Sequence, residues 1–263
     1  MFDFEEYNSL ITEYSVEDAR QELNNVVAWF REQEWHQNAM EACIVNGRLL
    51  PLTVADEADC FFVPETLLPY ELPEWMQAPA LGIVKFGSIT QAGRLVYPVK
   101  DVKGDVMGFC GWDKFVDPKY LDSKNYGYKA KATTLYGMEK LPEYYESNKP
   151  VYVTEGIVCC LWLRSQGFQA LALLGSNMTP YVIEILKRFG SRLVMVPDND
   201  QTGDSFIRKI KWNLKKAIIV QAAFGKDLDG CRKFEDCKYE KELVKELLSL
   251  TNPFVKTRLL IRR

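Results

Sequence analysis

The alternation of apolar and polar positions changes its rhythm along the chain. From Ser15 to about Asn38 (SVEDARQELNNVVAWFREQEWHQN) a serine able to cap precedes acids in the first turn. Val26, Val27, Phe30 and Trp35 then fall roughly on one side, which predicts a helix. Between Pro64 and Pro79 (PETLLPYELPEWMQAP) prolines and aromatics interrupt every period, which predicts a rigid irregular connector and a subdomain boundary near residue 80. From Leu81 to Asp113 the runs LGIVKF, RLVYPV and DVMGFCGW alternate, with Asp101-Val102-Lys103-Gly104-Asp105 as a turn between the last two, and predict an antiparallel meander. A basic stretch punctuated by glycine and proline leads to Tyr136, and a short helical region to about Asn148.

Beyond residue 150 short apolar strands alternate with helix-length segments: VYVTE (151–155), ALALLG (170–175), RLVMVPD (192–198) and AIIVQAAF (217–224), with helices reaching about Gln166, Arg188 and Leu214. Such runs, apolar on both sides, predict a parallel sheet covered by helices on each face. The expected fold class is α/β, a parallel-sheet unit preceded by a mixed α+β basic subdomain. The expected division is an acidic, partly helical region 1–80, a basic subdomain 81–149, the sheet unit 150–230 and a tail 231–263 in which Tyr239–Leu250 has the spacing of a small amphipathic helix.

A net charge of −3 conceals an asymmetry: residues 1–80 hold 16 acids and 3 bases, and residues 81–263 hold 20 acids and 30 bases. A basic segment is the footprint of a phosphate binder, although a solvated charged face has the same composition. The seven cysteines form no C-x-x-C pair and His36 is the only histidine, so reduced thiols are expected and a zinc site is not. No apolar run approaches the ~20 residues of a membrane span, and the acidic start has no signal-peptide pattern, so a soluble cytoplasmic protein with no membrane partner is expected.

Acids close three of the four strands of the predicted parallel sheet: Glu155 the first, Asp198 and Asp200 the third, Asp227 and Asp229 the fourth. Ligands of such sheets gather beyond the carboxyl ends of the strands. Each acid alone reads more readily as an ordinary turn, cap or loop residue than as a metal ligand, but five at one edge would repel one another unless cations sat among them. Mg²⁺ takes a few carboxylates together with water and phosphate oxygens, and two such ions ~4 Å apart stabilise the attacking and leaving oxygens of a phosphoryl transfer. Gly156 allows close approach beside Glu155, and Gly175 and Ser176 offer small groups at the same edge.

Glu155-Gly156 after an apolar strand, Leu174-Gly175-Ser176, Asp198-x-Asp200-x-x-Gly203 and Asp227-x-Asp229 resemble the TOPRIM domain of bacterial primases, topoisomerases and some nucleases. Upstream, the run Arg94 to Asp101, Gly104, Gly108-Phe109, Pro118-Lys-Tyr-Leu-Asp-Ser123 and Leu135-Tyr136-Gly137 resembles the basic subdomain of bacterial-type, DnaG-like primases, and the likeness spans about residues 90–230. The resemblance implies that Glu155 is the catalytic acid that deprotonates or orients a 3′-hydroxyl. It implies that Glu155, Asp198, Asp200, Asp227 and Asp229 hold Mg²⁺ or Mn²⁺, that Lys119 and Lys131 act near the nucleotide, and that Arg94 touches template. Lys100 and Lys129 extend the set of nucleic-acid contacts, together with Gly156, Gly175 and Ser176. Eight bases against five acids between Arg94 and Lys131 agree with a positive ridge for a single strand.

The sequence departs from the primase pattern in having no zinc-ribbon cysteines and no separate helicase-binding region, and in placing Trp112 where a base is expected after Gly108-Phe109-x-Gly111. Expected partners are therefore single-stranded DNA, ribonucleoside triphosphates, and a replicative helicase or a separate zinc-binding chain, and a bacteriophage or mobile-element source is expected. The expected activity is synthesis of short RNA primers by a nucleotidyltransferase in DNA replication. The competing expectations are a TOPRIM nuclease using the same acids, and a module that binds a replication protein through its acidic region.

Overall fold

The computed structural model describes residues 16–47, 51–113, 115–123, 134–174, 178–198 and 201–219. The chain divides into two compact units, Met1–Ala130 and Lys131–Arg263. The boundary expected near residue 80 falls inside the first unit and the one expected at 149/150 inside the second.

In the first unit the predicted N-terminal helix is two helices, α1 (Val16–Arg31) and α2 (His36–Gly47). A continuous helix would set Trp35 about 140° around the axis from Phe30. The break, marked by the Gln33 side chain donating to the Trp29 carbonyl at 2.8 Å, brings the Trp35 ring to 6.4 Å from Phe30. After α3 (Leu52–Glu57) comes β1 (Phe61–Val63), too short to show a period of its own. The proline-rich connector folds into three 3-10 turns that bury Leu72, Met76 and Leu81. They enter one core with Val26 and Phe30 of α1 and with Val96 and Phe109 of the sheet, which explains why no boundary falls at residue 80.

The expected meander is corrected in its first member. The strands β2 (Val84–Lys85) and β3 (Ser88–Ile89) form a separate hairpin, while β4 (Arg94–Lys100) pairs antiparallel with β1 on one side and β5 (Val106–Trp112) on the other. A short β6 (Tyr120–Asp122) completes the order β1-β4-β5-β6. The turn between β4 and β5 is as expected: the Asp101 carboxylate accepts from the backbone N–H groups of Lys103 and Asp105, at 2.8 and 3.1 Å. Asn24 of α1 accepts from the Val106 N–H at 2.9 Å, which ties the helix to the start of β5.

His36 is buried, and neither ring nitrogen has a hydrogen-bond partner among the described residues. Burial first and the Arg31 charge second depress its pKa below 6.5, against a smaller upward pull from Asp56. In acid the unfolded chain therefore takes up a proton that the folded chain resists, so stability is full above about pH 6.5 and falls as the pH drops below it. His36→Leu is expected to flatten the fall in melting temperature between about pH 7 and pH 5; an unchanged profile would assign the acid sensitivity to other groups.

The second unit follows the predicted α/β alternation. A 3-10 turn (Met138–Lys140) and α4 (Leu141–Glu146) precede β7 (Val151–Thr154), α5 (Ile157–Ser165), β8 (Gln169–Ala172), α6 (Pro180–Lys187), β9 (Leu193–Val196), α7 (Gln201–Asn213) and β10 (Ile218–Ile219). All four strands are parallel, in the order β10-β9-β7-β8. Every residue of β7 and β9 is buried, as strands covered on both faces require. The core includes Leu135, Met138, Leu141 and Tyr144, so the segment before the sheet belongs to this unit and not to the basic subdomain. Cys60, Cys110, Cys159 and Cys160 are buried, and burial pushes the Cys160 thiol up to about 11. No helix among the described residues is long and apolar enough to cross a membrane.

Candidate active site

The strand order sets the site. The chain passes from β7 outward to β8 and then crosses to β9 on the other side of β7, so the β7/β9 junction is where the winding reverses. At such a reversal the loops leave in opposite directions, and it is there, beyond the carboxyl ends of the strands, that open α/β sheets take their ligands. Glu155 directly follows β7, and Asp198 lies two residues beyond β9. The Asp198 N–H donates to Oε1 of Glu155 at 3.1 Å, and only 9% of Glu155 is exposed. Two of the five expected residues thus meet at this edge, through the Asp198 backbone and the Glu155 carboxylate. Asp200, Asp227, Asp229, Gly175 and Ser176 lie outside the described residues, as do Lys129 and Lys131.

Thr154, at the end of β7, shapes the turn: its buried hydroxyl donates to the Gly156 carbonyl at 2.8 Å. Gly156 starts α5, and a Cβ there would meet no atom of the described residues within 4 Å, so its glycine answers no packing demand among them. The Leu173 N–H donates to the Thr154 carbonyl at 2.9 Å and holds β8 level with β7 at this edge.

Leu135-Tyr136-Gly137 lies along the outer edge of β8, where Tyr136 and Ala172 exchange backbone hydrogen bonds of 2.8 and 3.1 Å. Arg164 of α5 anchors it: Nε donates to the Ala170 carbonyl at 3.0 Å, Nη1 pairs with Glu139 at 3.5 Å, and the guanidinium lies 5.9 Å from the Tyr136 ring centre. Sequence reasoning missed Arg164, since a single base in an apolar helix had no visible partner. Gly137 has φ +91, and a Cβ there would run into the Arg164 guanidinium and approach Leu171 to 3.2 Å. Gly137→Ala is expected to lower stability by about 2–3 kcal/mol through backbone strain and displacement of the buried guanidinium, read from the urea midpoint. A loss below about 0.5 kcal/mol would show that Arg164 gives way freely.

In the first unit the expected nucleic-acid residues separate into two kinds. Lys119 is exposed on the 115–119 bend, whose position is set when the Lys119 carbonyl accepts from the Asp113 N–H at 2.9 Å and from Arg94 Nη1 at 3.1 Å. Arg94 is buried, so it holds the loop of Lys119 and does not stand open to a template. Lys100 is likewise engaged internally, its ammonium paired with Asp59, which also binds Arg31. Asp59 sits in the left-handed region at φ 54, pinned by these two cations. Trp112 is buried in β5 opposite Leu95 and Tyr120, a packing residue where a base was expected.

Residues 152–231 match the Toprim-like family. The chain is 31% identical over 147 residues to the DNA primase of Clostridium acetobutylicum, covering 52% of this chain and 24% of that protein. It is 30% identical over 125 residues to the DNA primase of Helicobacter pylori, covering 47% of this chain and 22% of that protein. The match thus spans about a quarter of either relative. Its fold superposes on a DnaG catalytic core with a TM-score of 0.68 at 21% identity, covering 87% of this chain and 80% of that one. Residues 152–231 thus carry a Toprim-like domain, and the chain has the fold of a DnaG catalytic core.

The zinc-binding and RNA polymerase domains of Aquifex aeolicus primase superpose on this chain with a TM-score of 0.71 at 21% identity, over 96% of this chain and 63% of that one. The metal set expected of its TOPRIM domain is represented among the described residues by Glu155 and Asp198 alone, and no cluster of three acidic, histidine or cysteine side chains occurs there. The donor chemistry of this pair, hard carboxylate oxygens with no sulfur or imidazole, fits a divalent cation of the Mg²⁺ kind.

Proposed function

We propose that this chain is the catalytic core of a DNA primase, which joins ribonucleotides into short RNA primers on single-stranded DNA. The observation that carries the reading is the meeting of Glu155 and Asp198 at the β7/β9 reversal of the sheet. The match of residues 152–231 to the Toprim-like family supports placing Asp200, Asp227 and Asp229 in the same set. A solved DnaG primase catalytic domain of the same fold, bound to single-stranded DNA, supports the choice of template: its TM-score is 0.67 at 21% identity, over 90% of this chain and 83% of that one.

Glu155 and Asp198 would hold Mg²⁺ or Mn²⁺, with Asp200, Asp227 and Asp229. Bound there, the ions would stabilise charge on the attacking and leaving oxygens of phosphoryl transfer. Glu155 orients the 3′-hydroxyl or takes up its proton. The Asp198 N–H fixes Oε1 of Glu155, so the rotamer is set before substrate arrives. Lys119, exposed on a loop held by Arg94, takes a phosphate of the strand or nucleotide, and Lys129 and Lys131 continue that positive run.

The test is incubation of the chain with mixed-sequence single-stranded DNA, labelled ribonucleotides and Mg²⁺ or Mn²⁺, beside Glu155→Gln and Asp198→Asn. Short labelled products that disappear in both variants support the reading. Shortened DNA without products would replace it with a nuclease; neither outcome would mean that this chain does not prime unaided.

A further inference from the structure

At the opposite end of the same sheet, where β9 and β10 begin, a cavity of about 410 Å³ opens between the ends of α6 and α7. Its floor is Leu186, Leu193 and Leu214, all buried in the core. Lys187, Lys215 and Lys216 line it, and no acid does among the described residues. Trp212, in the last turn of α7, stands at this cavity with 81% of its surface exposed. Arg208, one turn earlier on the same helix, is exposed and shares its face.

An indole left in water forgoes the stabilisation that its burial would contribute, so its exposure beside lysines calls for a ligand. That ligand must be anionic, to suit three lysines whose counter-charge among the described residues is Glu184, which Lys187 reaches at 2.6 Å. It must also present a flat apolar face to the indole. Single-stranded nucleic acid carries both in every repeating unit: a base that stacks on an aromatic ring without sequence preference, and a phosphate for a basic side chain. An acidic peptide satisfies the lysines and leaves the ring unused.

We propose that the Trp212 cavity is an auxiliary site for single-stranded DNA, with one base stacked on Trp212 and the adjoining phosphates on Lys215 and Lys216. The proposal rests on the reading of this chain as a primase core, which supplies the strand. The four residues of β9, on the order of 13 Å, separate the cavity from Asp198, so the site holds a strand without touching the reacting atoms.

Anisotropy of labelled oligo(dT) is to be followed across a salt series with the full chain, Trp212→Ala, Trp212→Phe and the double variant Lys215→Glu/Lys216→Glu. Trp212→Ala is expected to weaken binding roughly tenfold, within the range for one base stacked on an aromatic ring, and Trp212→Phe to restore most of it. On an abasic strand the wild type and Trp212→Ala should bind alike. The lysine variant should lower the slope of log affinity against log salt by about 1.4, as for two lost phosphate contacts on a single strand. Because Trp212 is exposed, unchanged melting temperatures check that each variant folds.

Equal binding of oligo(dT) by wild type and Trp212→Ala would overturn the site, as would an equal loss on the abasic strand. Tight binding of poly-glutamate that depends on Trp212 would assign the cavity to a protein partner and overturn it too. Trp212-dependent oligo(dT) binding in a chain that makes no primers counts against unaided priming and leaves the site standing. Primers made normally by a chain whose DNA binding ignores Trp212 refute the site and leave the activity.

Discussion

Glu155→Gln is expected to cut primer synthesis by about three orders of magnitude while changing stability by less than about 1 kcal/mol. The two effects separate because the side chain does two jobs. As an acceptor it satisfies the Asp198 N–H, and the glutamine amide oxygen can do the same at the same 3.1 Å. As a charge it would hold a cation and receive the hydroxyl proton, and glutamine does neither. Glu155→Ala makes the contrast sharper, since it leaves the Asp198 N–H without this acceptor and should cost a further ~1–3 kcal/mol in stability. Initial rates of labelled product, paired with melting curves of both variants, check the prediction. A glutamine variant that keeps more than a tenth of the activity would mean that the charge of Glu155 is not what the reaction uses.

The second unit is largely legible in its amino-acid pattern. Its strands VYVT and LVMV are buried on both faces, so apolar runs alone mark them, and the helices between them forbid any pairing but parallel. Acids at strand ends are equally visible. Strand order is not: nothing local reveals that β9 lies beside β7 with β8 outside, and that order is what brings Asp198 to Glu155. The first unit is less legible because its elements are fixed by distant partners. Three residues of β1 make a strand only because Val63 pairs with Arg94. Charge counting finds the bases of the ridge, yet Lys100 pairs with Asp59, forty-one positions away, and no composition could reveal that. The boundary near residue 80 fails for the same reason, since prolines mark irregular backbone and not the absence of a shared core.

That shared core yields the largest expected effect on stability. Phe30 of α1 is 1% exposed and lies among three aromatic rings: stacked on Phe61 at 4.8 Å and edge-on to Trp29 and Trp35 at 5.0 and 6.4 Å. Phe61 in turn meets Phe109 of β5 edge-on at 5.6 Å, so a chain of rings runs from the helix through β1 to the central strands. Phe30→Ala removes the ring at the helix end of this chain and leaves a cavity that neighbours on three elements cannot close at once. The loss is expected to be about 3–5 kcal/mol. If residues 1–80 formed a domain apart, the cost would stay in α1, and β4 and β5 would keep their hydrogen-exchange protection. With one core, protection should fall together in α1, β1, β4 and β5, while β7 and β9 of the second unit lose less. Hydrogen exchange on the variant decides between the two, because a helix that loosens while Val96 and Phe109 stay protected would return the boundary to residue 80.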